Sequence, residues 1–303
     1  MNSALQSFSP DRLVAFPPHW PLADALINAL GIAPVEYVHH RFPDHASLFR
    51  VVDEVAGANL LLVADLHDPD SHYLQLMLLT ETLRDLGAAS IGLLVPYLSY
   101  MRQDKRFNPG EGISSRYFAK MLSAHFDWLI TVDPHLHRYH ALGEIFSIPT
   151  RLVHAAPVIA TWIAHSVPDA VLIGPDEESS QWVSDIATRA GFPYEILLKQ
   201  RHGDEDVKVS LPHPERWRNH TPVLVDDIIS SGRTMMAAVT HLQHAGLPPP
   251  LCVAVHGVFS DDALTGLKLA GAADVITTNT VPVPTGRIDM SMEIANALRR
   301  TAP

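Results

Sequence analysis

Apolar and polar positions along the chain fall into two alternating rhythms. Short, continuous apolar runs at 35–38, 48–52, 60–64, 91–95, 128–132, 171–174, 194–199, 223–225, 251–256 and 274–277 predict buried strands. Between them, apolar residues recur at helical spacing over 71–86, 113–124, 157–165, 177–190, 235–244 and 261–269. In the first of these helices Leu74, Met77, Leu78 and Leu83 form the expected apolar face, with Glu81 opposite. Pro157 opens its helix, where the missing N–H costs nothing. A last helix is expected over 289–300, after the proline-broken segment 281–286. Strand–helix alternation of this kind predicts an α/β protein whose mostly parallel sheets carry helices on both faces. The rhythm runs through twice, although no repeat is visible in the letters. The first domain is expected over 1–148, the second over 149–286, and a C-terminal helix over 287–303.

Length and composition agree with that division. The chain has 303 residues, 47% of them hydrophobic and 18% charged, which suits two globular domains and argues against disorder. A net charge of −11 argues against generic binding to nucleic acid or to an anionic membrane, so an anionic ligand would need local cations or a divalent metal. The first residues show no basic start followed by an apolar core, and no apolar run reaches membrane-spanning length. The expected address is the cytoplasm. Cys252 lies alone in an apolar run and reads as a buried, inert thiol. Most of the 18 histidines read as surface residues; those at strand ends are candidates for chemistry.

The chemistry centres on residues 222–234, PVLVDDIISSGRT. Asp226 and Asp227 follow the apolar run 223–225, so they are expected where a strand leaves the core, in the crevice where open α/β sheets bind ligands. Ser230, Ser231, Gly232, Arg233 and Thr234 then supply hydroxyls, backbone N–H groups and a glycine that tolerates positive φ. The helix that follows presents its N-terminus, a natural anion site. Carboxylates for vicinal hydroxyls beside a phosphate cradle suit a ribose 5-phosphate. The simpler alternative is an ordinary strand–helix loop with an acidic cap.

Four further loops fall at strand ends. In His40–Asp44, Phe42 could stack on a base and Asp44 accept from an exocyclic amine, or the segment could be a turn around a buried Phe. Residues 96–112, PYLSYMRQDKRFNPGEG, gather Arg102, Lys105 and Arg106, donors suited to phosphate oxygens. In 131–140, TVDPHLHRYH, Asp133 and His135 could ligate a divalent ion, while His135 and His137 would also suit zinc. In 174–180, GPDEESS, Asp176 could help to hold a metal, and Lys199 and Arg201 could lie on a mobile flap or a surface hairpin.

Taken together, PYLSYMRQDKRFNPGEGIS, TVDPHLH, GPDEES, KQR and VLVDDIISSGRT resemble the ribose-phosphate diphosphokinases in order and spacing over nearly the whole chain. Phosphoribosyltransferases share only the last of these motifs. The Ser230-Ser231 variant and the GPDEES loop are more similar to the archaeal-type branch. The resemblance implies two phosphoribosyltransferase-like α/β domains that transfer a diphosphoryl group from Mg-ATP to ribose 5-phosphate. It implies that Phe42 and Asp44 face adenine, and that Arg102 and Gln103 grip ATP with Asp104 in support. His135, Asp176 and Asp133 would hold Mg2+. Asp226 and Asp227 would bind ribose hydroxyls and Ser230 to Thr234 the 5-phosphate, with Lys199 and Arg201 acting in catalysis. A homo-oligomer, dimer or hexamer, is implied as well. Three positions depart from the family pattern. Ala46 replaces an acid two residues after Asp44, acidic and serine residues replace a glycine pair after Asp176, and Arg233 adds a cation to the phosphate cradle. A weakly active or altered-substrate paralogue of the same fold is the implied alternative.

Overall fold

The computed structural model describes residues 8–18, 20–202, 206–260 and 262–299, with the backbone alone for 178, 199–202 and 206–209. It divides into two compact units: one runs to Val153 and includes the C-terminal helix from Ser291, and the other spans His154–Met290.

The first unit contains β1 (Arg12–Phe16), α1 (Pro21–Leu30), β2 (Ala33–Pro34), β3 (Tyr37–Arg41), β4 (Ser47–Val51), β5 (Asn59–Ala64), α2 (Pro69–Asp85), β6 (Ser90–Leu94), α3 (Ser114–His125), β7 (Trp128–Val132) and β8 (Thr150–Val153). The second contains α4 (Ala156–Ser166), β9 (Ala170–Gly174), α5 (Ser180–Ala190), β10 (Tyr194–Ile196), β11 (Leu198–His202), β12 (Asp206–Ser210), β13 (Thr221–Ile229), α6 (Arg233–His244), β14 (Leu251–Gly257), α7 (Ala263–Leu269), β15 (Asp274–Thr278) and β16 (Gly286–Ile288). Helix α8 (Ser291–Arg299) belongs to the first unit. It packs on α1 and β8; the Arg299 side chain donates to the carbonyl of Ala29, and the Arg151 side chain to that of Ala297.

Both units are built on one plan. The first sheet has strand order β2-β1-β5-β6-β7-β8 and the second β10-β9-β13-β14-β15-β16, and the pairings within each are parallel. The doubled rhythm in the sequence is therefore a repeated topology. In each sheet the first crossover leads outward to one edge and the later crossovers lead to the other, so the order reverses between β1 and β5 and between β9 and β13. Those reversals are the topological switch points at which such sheets bind ligands. The β5 run NLLLVA and the β13 run PVLV are buried because helices cover both faces. Two antiparallel ribbons, β3–β4 and β11–β12, stand apart from the sheets.

Several sequence-based expectations need correction. The division expected at 148/149 leaves the edge strand β8 outside the first unit, and that at 286/287 runs through the edge strand β16. Both strands are short and half polar, so they give little apolar signal. Strand β1 and helix α1 were not anticipated, although Leu13, Val14 and Leu26 are fully buried. The run 194–199 is two strands, since β10 ends the parallel sheet and β11 opens a ribbon, with Leu197 buried at the break. In α2 the core face is Leu76, Met77, Leu79, Thr80 and Leu83, whereas Leu74 is 67% exposed. Cys252 is buried and free, with burial pushing its thiol up to about 12. Among the described residues no helix is long and apolar enough to cross a membrane.

Candidate active site

In the second unit, β13 does not end before the acid pair, as the sequence suggested; it continues through Asp226 and Asp227 to Ile229. The reason lies with its neighbours. Pairing with β9 stops at Leu224–Ile173, but pairing with β14 continues through Asp226–Ala254 to Ile229–Gly257. The two carboxylates therefore sit just where β9 has ended, at the switch point. Beyond β9 the chain turns at Gly174-Pro175-Asp176, where a side chain on Gly174 would lie 2.5 Å from Ser179 Oγ and 2.6 Å from Ile196 Cδ1. Asp176 caps the following turn, accepting from the Ser179 N–H at 3.3 Å.

Asp176 is close enough for its charge to act on the pair. The Asp226 carboxyl is pushed up to about 8, first by burial, then by the charge of Asp227 and next by that of Asp176. The Asp227 N–H donates to Asp226 Oδ1 at 3.0 Å and only partly offsets this. Such crowding fits sugar hydroxyls, which donate, or a divalent cation, which neutralises. Among the described residues no group of three or more His, Cys, Asp or Glu side chains is arranged to hold a metal ion by itself.

The segment expected to cradle a phosphate follows. Gly232 caps α6 with φ +69°, a conformation that needs glycine, although a Cβ there would meet nothing closer than 3.6 Å. Residues Ser231, Arg233 and Thr234 are exposed, and Met235, Ala238, Val239 and Leu242 bury the opposite face of the helix. The loop is supported from behind, because the Val258 N–H donates to the Ile229 carbonyl at 2.9 Å and the Ser260 N–H to that of Ser230 at 3.3 Å. An anion at this helix N-terminus would meet first-turn N–H groups and the exposed Ser231 and Thr234 side chains. Lys199 and Arg201 occupy alternate positions of β11, opposite Val209 and Val207 in the ribbon; their side chains lie outside the described residues.

In the first unit, the loop after β6 holds Arg102 and Gln103 exposed between two buried residues, Met101 and Asp104. Asp104 is not at the surface as a nucleotide ligand would be. Its carboxylate accepts from Arg138 Nη1 at 2.8 and 3.0 Å, and the Tyr139 hydroxyl donates to its carbonyl at 3.4 Å. Asp104 thus anchors the loop and leaves Arg102 and Gln103 to reach outward. Arg138, which the sequence did not single out, lies within the TVDPHLHRYH segment as the one cation able to match a buried acid. After β7, Asp133 takes φ +30°, and the His135 and His137 rings meet edge to face at 4.2 Å. Phe42 is 42% exposed at the tip of the β3–β4 hairpin rather than buried in a turn, and Asp44 accepts from the Ala46 N–H at 3.1 Å.

A second acid at a strand end was missed. Asp65 follows β5 at the switch point of the first sheet and is 3% exposed. His67 Nδ1 lies 2.9 and 2.8 Å from its two carboxylate oxygens. The signal was the same as for Asp226: an acid directly after a continuous apolar run.

These features define a two-domain α/β protein of the phosphoribosyl type. Residues 12–125 match the family model described as the N-terminal domain of ribose phosphate pyrophosphokinase, and residues 144–291 match the phosphoribosyl transferase domain. The chain is 34% identical over 271 residues to the ribose-phosphate pyrophosphokinase of Methanopyrus kandleri, covering 88% of this chain and 90% of that one. It is 31% identical over 290 residues to that of Methanosarcina acetivorans, covering 95% and 99%. The crystal structure of phosphoribosylpyrophosphate synthetase from Mycobacterium smegmatis superposes with a TM-score of 0.81 at 26% identity, covering 95% of this chain and 97% of that one. The chain belongs to the ribose-phosphate pyrophosphokinase family.

Proposed function

We propose that the protein transfers the β,γ-diphosphoryl group of Mg-ATP to the anomeric hydroxyl of ribose 5-phosphate, giving phosphoribosyl diphosphate (PRPP) and AMP. One observation carries this reading: a switch-point acid pair and phosphate cradle occur in the same chain as a pyrophosphokinase N-terminal domain. A phosphoribosyltransferase has no use for the loop that presents Arg102 and Gln103, and that alternative is not favoured.

The roles follow from the chemistry of the residues. Asp226 and Asp227 accept from the vicinal ribose hydroxyls. Ser230, Ser231, Gly232, Arg233 and Thr234 hold the 5-phosphate by N–H groups, hydroxyls and one guanidinium. Arg102 and Gln103 hold ATP, with Phe42 stacked on adenine and Asp44 at its amine. Lys199 and Arg201 neutralise the charge that develops on the transferred group, so they lower the barrier more than they tighten binding. Positioning and charge neutralisation carry the reaction, since in-line attack on phosphorus needs little covalent help from protein. Mg2+ suits the acidic crowding around Asp226, where Asp176 would help to hold it; in the first unit His135 and Asp133 are the candidate ligands, and a bound ion would screen phosphate charge. A cytoplasmic homo-oligomer, dimer or hexamer, goes with this reading.

The test is to incubate the protein with ribose 5-phosphate, Mg2+ and each nucleoside triphosphate in turn, and to measure PRPP together with the matching monophosphate. PRPP and AMP forming in equal amounts from ATP is the expected result. Ala46, where the family pattern has an acid, makes the comparison between triphosphates informative. Absence of PRPP with every triphosphate would refute the reading.

A further inference from the structure

The first sheet has a switch point of its own, and the function above leaves it unused. Its carboxyl-end loop, Asp65–Asp68, stands in the first unit where Asp226 to Gly232 stand in the second. Here the acid is already matched within the protein. Besides the two contacts from His67 Nδ1, the His67 backbone N–H donates to Asp65 Oδ1 at 3.1 Å. His72 Nδ1 lies 3.2 Å from the Asp65 carbonyl, and its ring meets Phe16 edge-on at 5.8 Å. This internally satisfied loop also reaches the segment that carries Arg102. The Ser99 hydroxyl donates to the Leu66 carbonyl, and the Tyr100 hydroxyl to Asp70 Oδ1 on the first turn of α2.

Tyr100 makes the contact consequential. It takes φ +65°, a conformation unfavourable for a bulky residue and held only where the surroundings enforce it. Its carbonyl accepts from the Gln103 N–H at 3.0 Å, closing the turn that contains Met101 and Arg102. Its ring packs on Phe118 at 4.9 Å. The nucleotide loop is thus held at one end by Asp104–Arg138 and at the other by Ser99, which rests on the Asp65–His67 loop, and by Tyr100, which rests on Asp70 just beyond it.

We propose that His67, seated on Asp65, is a positioning residue that fixes the Tyr100 turn and so presents Arg102 and Gln103 to the nucleotide. The role rests on the assignment of that loop to ATP, but the brace itself does not. The hydrogen bond that His67 donates to the Asp65 carboxylate raises the His67 pKa, with burial opposing it and the charges of Asp65 and Asp68 assisting. The other titratable ring against it is that of His72, edge-on at 6.2 Å. Charged His67 is therefore favoured at low pH and lost as pH rises through its raised pKa, and the grip on nucleotide should loosen in that direction.

His67→Ala, His67→Gln and Tyr100→Phe test this, with two readouts. Amide hydrogen exchange over 98–103 in the ligand-free protein should quicken in His67→Ala and Tyr100→Phe. It should stay closer to wild type in His67→Gln, whose amide can still donate to Asp65. In PRPP synthesis, His67→Ala should raise KM for ATP up to about tenfold, the scale of one lost hydrogen bond, with KM for ribose 5-phosphate and kcat within about twofold. From about pH 6 to about pH 9 the wild-type KM for ATP should climb, whereas that of His67→Gln should stay flat. Unchanged exchange over 98–103, or equal effects on both KM values, would overturn the proposal. A wild-type protein that makes no PRPP would refute the assigned reaction alone, and the exchange data would still decide the brace.

Discussion

Replacing Asp226 by Asn should stabilise the ligand-free protein while removing its function, and the effect should grow with pH. Folding raises the Asp226 pKa from 3.8 to about 8, so between those values the native state holds a proton that the unfolded chain has released. Stability must then fall as pH rises through this window, by at most about 1.4 kcal/mol per pH unit from this one group. Asn cannot titrate, so the variant should lack that part of the slope. Urea unfolding at about pH 5, 6, 7 and 8, read by circular dichroism, measures both curves, and their difference isolates Asp226 because the other groups are shared. The curves should diverge toward high pH, with the variant the more stable by about 2 kcal/mol or more at pH 8. Added ribose 5-phosphate should stabilise the wild type and leave Asp226→Asn unmoved. Parallel curves would refute the claim that burial and the charge of Asp227 raise the Asp226 pKa in the folded protein.

Three further substitutions test other parts of the account. Arg138→Ala leaves the Asp104 carboxylate, 2% exposed as a side chain, without its partner; unfolding should come about 2 kcal/mol earlier, and Asp104→Asn in the same chain should recover part of the loss in a double-mutant cycle. Gly92→Ala puts a methyl 2.0 Å from the Trp128 ring across the β6–β7 pairing, so it should lower stability by more than about 2 kcal/mol in thermal unfolding, with Trp fluorescence reporting the displaced ring. Lys199→Ala should cut kcat by about a hundredfold or more while ATP binding, measured by titration calorimetry, stays near wild type.

What the sequence made legible was whatever local pattern determines. The buried run ahead of Asp226 and Asp227, the glycine cap of α6 and the buried face of that helix all follow from residues within one turn or one strand. The acid pair's exact setting did not, because β13 runs on beside β14 after β9 has stopped, and only the sheet shows which neighbour ends first. Asp104 illustrates the same limit. In the sequence it is one polar residue in the run RQDKR; in the fold its partner Arg138 lies 34 residues away and turns it inward. Helix α2 misled in a different way. Leu74 and Leu78 fit a helical period, yet Leu76 and Leu79 face the sheet, since a helix this rich in leucine offers two apolar stripes and packing chooses one. Asp65 could have been read by the rule applied to Asp226, but it lacked the glycine and serine residues that mark a cradle.

The reaction itself is tested most directly by following where the phosphates of ATP go. Incubation with ribose 5-phosphate, Mg2+ and ATP labelled separately at the α and γ positions, with products resolved by chromatography, reports which bond breaks. The γ label should move onto the pentose as PRPP, and the α label should appear only in AMP. Label from the γ position released as free phosphate, with ADP as the partner product, would contradict the account.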